Sequence, residues 1–254
     1  MSVLIDLTGK RAIVTGASRG IGAAIARALH AAGASVLLNH PGFDSTRTET
    51  ETIAAELNEK RADSASVVAA DVADAEAVAT MFRKIRQDSG PIDILVNNAA
   101  ILRDRTVSKM TLDEWNEVLD INLSGVFYCS KFGLDAMNDG GSIVNLASVS
   151  GLGGFFGQAN YAAAKAGVIA LTRVLARESA KRSIRVNAVA PGVVETAMAA
   201  TIPQAARSEM LKSIPLKRFA TPNEIASVVL FLCSDLASYV DGETIVASGG
   251  WSGW

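Results

Sequence analysis

The sequence predicts an α/β fold: a single doubly wound parallel sheet of about seven strands, with helices on both faces. Three observations carry this. Short apolar runs rich in β-branched residues alternate with longer helical patterns along the whole chain. The strand-like runs are apolar on both faces, as strands between two helical layers must be. A glycine-rich turn, Gly16 to Gly22, follows the first strand and opens the first helix.

Taken in order, residues 11–15 (RAIVT) read as a buried strand bounded by Gly16. The run AAIARALHAAG then makes a helix closed by Gly33, and Val36 to Leu38 a second strand. Residues 46–60 place Ile53 and Leu57 on one helical face, and Ser66 to Ala70 form strand three. Ala75 to Gln87 carries Val78, Phe82 and Ile85 at helical spacing; Ile92 to Val96 is strand four. A long helix over 111–137 starts at a capping box of Thr111 and Glu114. Ser142 to Leu146 is strand five, 158–180 a helix, and Ile184 to Ala190 strand six. Residues 193–220 are irregular or short-helical and read as a small lid; Glu224 to Cys233 is a helix and Thr244 to Ala247 the last strand. No linker, repeat or composition break divides the chain, so residues 1–254 read as one domain.

Composition narrows the function. With 49% hydrophobic and 20% charged residues, the chain is globular rather than disordered. Its 24 basic and 26 acidic residues leave a net charge of −2, so no nucleic-acid face is expected. Cys129 and Cys233 sit in apolar helical runs and fit no metal or disulfide spacing. No apolar stretch reaches the ~18 residues of a membrane span, and the start lacks a signal-peptide layout; a cytoplasmic protein is expected.

The glycines at 16, 20 and 22 permit a tight turn and close approach of a pyrophosphate at a helix N-terminus, a Rossmann-type arrangement. The end of strand two reads Asn39-His40-Pro41, with no carboxylate before Asp44 to hold a ribose 2′-hydroxyl. Arg19 in the loop is placed to face a 2′-phosphate, which favours NADP(H) over NAD(H). His40 is expected at the phosphate or adenine, or else on the surface; His30 reads as structural.

Further on, Tyr161 and Lys165 lie four apart on an Ala-rich helix and share one face. An ammonium beside a phenol favours the phenolate and lowers its pKa from the usual value of about 10. Ser148, thirteen residues before Tyr161, is brought alongside by the intervening loop and offers a hydrogen bond to a substrate oxygen. Ser150 is the rival serine, with a poorer spacing.

Thr15-Gly16-Ala17-Ser18-Arg19-Gly20-Ile21-Gly22, Asp71-Val72, Asn97-Asn98-Ala99-Ala100, Asn122, Ser148, Tyr161-x-x-x-Lys165 and Pro191-Gly192 occur together, in order, over essentially the whole chain. This set resembles the short-chain dehydrogenase/reductase family. GQANYAAAKAG and the closing GETIVASGG are most similar to 3-oxoacyl-thioester reductases, which act on acyl-carrier-protein or coenzyme A thioesters. The resemblance implies that Tyr161 is the general acid for ketone reduction, that Lys165 lowers its pKa and binds the nicotinamide ribose, and that Ser148 polarises the carbonyl. It implies that Asn122 kinks the long helix and holds a relay water. It places Gly16, Ser18, Arg19, Gly20, Ile21 and Gly22 at the phosphates, Asp71 and Val72 at the adenine, and Asn98 and Ala99 at the ribose. Pro191, Gly192, Val194 and Thr196 would bracket the nicotinamide. It also implies a homotetramer built on the helices 111–137 and 158–180, with Trp251 and Trp254 packing near a neighbour. A secondary alcohol or sugar dehydrogenase is the alternative activity, and a dinucleotide-binding sensor without turnover the remaining one.

Two departures stand out. Ala100 replaces a common glycine, which is expected to alter that turn. Asp139 stands before strand five where a carrier-protein reductase often has a basic spot, and it would repel an acidic carrier. Arg182 is the remaining candidate for such a contact. The substrate side is expected from 152–158, around Ile101-Leu102, and 193–216, with Phe155 or Phe156 lining a pocket for medium-sized apolar ketones or 3-oxoacyl groups.

Overall fold

The computed structural model describes residues 5–251. Its strands are β1 (Arg11–Val14), β2 (Ser35–His40), β3 (Ala65–Ala69), β4 (Ile92–Asn97), β5 (Met137–Leu146), β6 (Arg185–Pro191) and β7 (Thr244–Ala247). The helices between them are α1 (Gly20–Ala31), α2 (Asp44–Lys60), α3 (Ala75–Ser89), α4 (Leu112–Leu119), α5 (Gly125–Ala136), α6 (Ser150–Gly153), α7 (Ala159–Ser179), α8 (Gln204–Ser213) and α9 (Pro222–Cys233). All seven strands pair in parallel in the order β3-β2-β1-β4-β5-β6-β7.

Strand alternation sorts side chains into two cores. Ala12 and Val14 of β1 join Ile25 and Leu29 of α1, Ile53 and Leu57 of α2, and Val229 and Leu232 of α9 on one face. Ile13, between them, points to the other face, with Phe82 of α3, Cys129 of α5 and Leu175 of α7. Each large side chain so buried contributes ~1.5–3 kcal/mol.

The topology also places the site. The chain runs outward from β1 through β2 to β3, then crosses back to β4 on the other side of β1. Loops after β1 and β4 therefore diverge and leave a crevice at the strands' carboxyl ends, where doubly wound sheets bind ligands.

Several boundaries differ from the sequence reading. The long helix 111–137 is two α-helices joined by a π-turn over Asp120–Ser124. β5 begins at Met137, its pairing with β4 shifting between Ile92 and Ile94 before it settles. α9 begins at Pro222, because Thr221 and Glu224 form a second capping box. α3 is capped by Asp74, which accepts from the amides of Glu76 and Ala77.

Candidate active site

Two loops lock together to form the glycine cradle. Thr15 at the end of β1 accepts from the amides of Asn98 (2.9 Å) and Ala99 (3.1 Å) through its hydroxyl. Asn98 answers by donating to the carbonyls of Thr15 (2.9 Å) and Gly16 (3.0 Å). Its side chain is thus a brace for the turn. Thr15, absent from the expected site residues, is the other half of that brace; a threonine closing an apolar strand was its signal.

The cradle demands its glycines. Gly16 has φ +62°, and a Cβ there would sit 2.8 Å from Ala99 Cα. A Cβ on Gly22 would sit 2.3 Å from the Gly16 carbonyl oxygen. Gly20, φ +57°, faces Thr196. This space, backed by the α1 N-terminus, fits a pyrophosphate, so the chain's own residues suit a dinucleotide. Ala100 does not distort the turn. Among the described residues, the non-glycine positive φ values fall at Asp63, Ser183 and Lys217, so position 100 needs no glycine.

The end of β2 is neutral. Asn39 is buried, donates to the Ala70 carbonyl (3.0 Å) and accepts from the Gly16 amide (3.4 Å). His40 is buried at 2% exposure, so the surface reading of it is wrong; its Nδ1 accepts from the Gly42 amide (3.1 Å). Burial, then Arg47, lowers its pKa and keeps the ring neutral. Asp44 pairs with Arg47. Beyond Arg19 and Ser18 a cleft of about 840 Å³ opens, bordered by Ser45, Thr48 and Glu49 of α2. His30 bonds Ser64 (2.7 Å) inside the core, as a structural residue should. Asp71 accepts from the Ala73 amide (3.0 Å) and shapes the turn after β3, with buried Val72 beside it.

At the end of β5 the catalytic candidates meet. Ser148 stands beside the Tyr161 hydroxyl and pulls the phenol's pKa down. Its rival Ser150 is spent elsewhere: its amide donates to Ser148 Oγ (3.1 Å) and its hydroxyl to Gln158 Oε1 (2.9 Å). Lys165 is 2% exposed, and its Nζ donates to the Leu146 carbonyl (2.6 Å), 5.6 Å from the Tyr161 ring centre.

The electrostatics correct one expectation. The Tyr-x-x-x-Lys spacing predicted a phenol lowered by its lysine. Instead burial pushes Tyr161 up to about 12, against the pull of Ser148. Burial also pushes Lys165 down to about 8, with the ammonium turned toward Leu146 rather than the phenol oxygen. Tyr161 is therefore protonated at neutral pH, the state a proton donor needs. Both cysteines are buried free thiols pushed up to about 12, and inert.

Asn122 lies within the π-turn, fully buried. It accepts from the Ile101 amide (2.9 Å) and donates to the Ile101 carbonyl (2.9 Å), pinning the loop after β4. Leu123 packs into the space at Gly167, where a Cβ would meet it at 2.9 Å, so the turn is keyed to the tyrosine helix. Asn160, unremarked in the sequence, is fully buried next to Tyr161. It donates to the carbonyls of Arg103 (3.1 Å) and Glu114 (3.0 Å), tying α7 to the same loop. Gln158 adds a link, donating to Asp104 (2.9 Å). Across the cleft, Gly192 leaves β6 with its amide donating to Ala247 (3.0 Å). Val194 and Thr196 follow, and the Thr196 hydroxyl donates to the Val194 carbonyl (3.3 Å). Arg207 of α8 pairs with Glu195 and lies 4.6 Å over the Phe219 ring, fastening the lid. Trp251 stacks on Phe155 of its own chain; Trp254 lies outside the described residues.

Among the described residues no cluster suits a metal ion, and no helix is long and apolar enough to cross a membrane. A family model described as enoyl-(acyl carrier protein) reductase matches residues 16–252. The chain is 44% identical over 243 residues to 3-oxoacyl-[acyl-carrier-protein] reductase FabG of Staphylococcus aureus, covering 95% of this chain and 97% of that one. It is 43% identical over 248 residues to the protein of that name from Aquifex aeolicus, covering 97% and 98%. A solved structure described as short-chain dehydrogenase/reductase SDR: glucose/ribitol dehydrogenase, from Brucella melitensis, superposes with a TM-score of 0.92. It has 36% identity and covers 99% of this chain and 100% of that one. With the glycine cradle, the Ser148–Tyr161–Lys165 cluster and these relatives over nearly its whole length, the chain belongs to the short-chain dehydrogenase/reductase family of oxidoreductases.

Proposed function

We propose that the chain is an NADP(H)-dependent reductase that takes a 3-oxoacyl thioester, or a similar keto ester, to its secondary alcohol. The observation that carries this is the cluster at the end of β5, where Ser148 stands beside the Tyr161 hydroxyl and buried Lys165, held by the Leu146 carbonyl at 2.6 Å, lies 5.6 Å from the Tyr161 ring centre. A ketone needs a proton on oxygen and a hydride on carbon, and a phenol paired with a second hydroxyl suits the oxygen. The names of the relatives support the substrate class.

Gly16, Ser18, Arg19, Gly20, Ile21 and Gly22 would hold the pyrophosphate. Asp71 and Val72 would flank the adenine, Asn98 and Ala99 the ribose, and Pro191, Gly192, Val194 and Thr196 the nicotinamide. The nicotinamide supplies the hydride when bound. Arg19 and Ser18, with the hydroxyls of Ser45 and Thr48 across the cleft, supply what a 2′-phosphate needs. His40, neutral and engaged with Gly42, adds no charge there.

Tyr161 then gives its proton to the carbonyl oxygen while Ser148 holds that oxygen in place. Lys165 fixes the ribose and replenishes the proton, with Asn122 holding the relay. The free-enzyme profile has a definite sign. In kcat/KM for reduction, Tyr161 stays an acid across neutral pH, so the rate is flat below about 8 and falls as Lys165 loses its proton above it. A rate that rises through that point in the reductive direction contradicts the assignment.

The carrier is a separate matter. Asp139 lies 2.7 Å from Arg182 Nε, and Arg182 also donates to the carbonyls of Leu134 and Met137. The nearby cation is spent within the chain, which favours a coenzyme A thioester over an acidic carrier protein. The test is NADPH and NADH consumption across acetoacetyl-CoA, ethyl acetoacetate, crotonyl-CoA and sugars. Reduction of the 3-oxo compounds with NADPH is expected; turnover of sugars alone overturns the reading.

A homotetramer in a cytoplasmic setting completes the proposal. Leu112, Phe127 and Val174 are exposed on α4, α5 and α7, and Tyr239 and Val246 near the edge strand β7. Light scattering should give the mass of four chains; a monomer rules this out.

A further inference from the structure

We infer that Phe155 and Trp251 form an aromatic wall that limits how long an acyl chain the site accepts. This rests on the 3-oxoacyl reading and names its specificity device. The rings lie 5.0 Å apart at 29°, a stacked pair. Phe155 belongs to the loop between Ser148 and Tyr161; Trp251 follows β7. In the sheet, β6 lies between β5 and β7. Neighbouring strands are about 4.8 Å apart, so the contact has to reach across the end of β6, where Gly192 begins the nicotinamide side.

The chain after β7 is shaped to deliver the ring. Gly249 and Gly250 have φ +67° and +83°, conformations that favour glycine. A Cβ on Gly250 would meet Pro215 at 3.0 Å, and one on Gly249 would meet Ile214 at 3.2 Å, so the turn lies flat on the base of the lid. The Leu216 amide donates to the Gly249 carbonyl (3.2 Å), and Ser248 Oγ donates to the Trp251 carbonyl (3.1 Å). Two segments expected on the substrate side, the Phe155 loop and the lid base, therefore both meet the chain after β7, the first through the ring stack and the second through the glycine turn. Phe156, next along, is 92% exposed and takes no part. A short 3-oxoacyl group ends before the stack, whereas a long one has to part the two rings.

The experiment compares kcat/KM for 3-oxodecanoyl-CoA and acetoacetyl-CoA in the wild type, Trp251→Ala, Trp251→Phe and Phe155→Leu. Removing one ring should raise the long-to-short ratio by about tenfold or more, the scale at which pockets discriminate methylenes. Trp251→Phe keeps a ring to stack and should leave the ratio within about twofold. An unchanged ratio in both Trp251→Ala and Phe155→Leu overturns the wall while leaving the reductase reading intact. Should Trp251→Ala not fold, Phe155→Leu carries the comparison by itself. No turnover of either thioester by the wild type overturns the reductase reading, and the wall falls with it.

Discussion

Replacing Tyr161 by phenylalanine is expected to lower kcat for ketone reduction by about 10²–10⁴-fold, the usual contribution of a positioned general acid. The change removes one oxygen from a half-buried ring and leaves the backbone of α7 intact. That backbone is held from the neighbouring residue, since the Tyr161 amide donates to Asn160 Oδ1 (2.8 Å). NADPH affinity, followed by fluorescence titration, should stay within about threefold, because the cradle lies on the far loops. The split matters: a protein that only sensed the dinucleotide would show no turnover to lose. Unchanged turnover in Tyr161→Phe removes the proton-donor role.

The second large effect is expected at Gly22. An alanine there would press its Cβ to 2.3 Å from the Gly16 carbonyl oxygen and 2.5 Å from Asn98 Nδ2. The first contact is with backbone, which cannot swing away, and the second is with the side chain that braces the cradle. Overpacking of this kind costs ~1–3 kcal/mol. Spent on opening the cradle, it weakens NADPH binding by about 5- to 150-fold. Thermal unfolding of the dinucleotide-free protein separates the two routes: a lowered Tm with unchanged affinity places the strain in the fold rather than in the site. Asn98→Ala, which removes the brace without adding bulk, should weaken binding in the same direction.

The sequence made the sheet legible because its strands are buried on both faces and the helices have clear apolar stripes. Seven strands and their order of appearance follow from that pattern, and the crevice follows from the glycine loop. Periodicity alone hid the π-turn at Asp120–Ser124, since a helix with one wider turn keeps nearly the same repeat, and the break at Asn122 was expected only from the family resemblance. The start of α9 was placed two residues late; Pro222, at the first helical position behind the Thr221 cap, already belongs to the helix.

In the site, Ser148, Tyr161 and Lys165 were legible from spacing. Residues that act by holding others were not. Gln158 and Asn160 make bonds to partners far along the chain, and no local pattern announces them; Thr15, bonded as far away, had only its place at the end of an apolar strand as a signal. The protonation states were missed for a related reason. Spacing on a helix says that a lysine is near a tyrosine, but burial decides the sign of both shifts, and burial comes from the tertiary fold. Trp251 illustrates the same limit: its ring meets Phe155 only because two left-handed glycines turn the chain back over the lid.

The central claim is that one turnover places a hydride on a ketone carbon and the Tyr161 proton on its oxygen. The decisive measurement is transfer from NADPH deuterated at both C4 positions to acetoacetyl-CoA, read by mass spectrometry and proton NMR of the product. The expected product is 3-hydroxybutyryl-CoA with one deuterium on the carbinol carbon. A product without deuterium there, or deuterium delivered only to the carbon–carbon double bond of crotonyl-CoA, would contradict it.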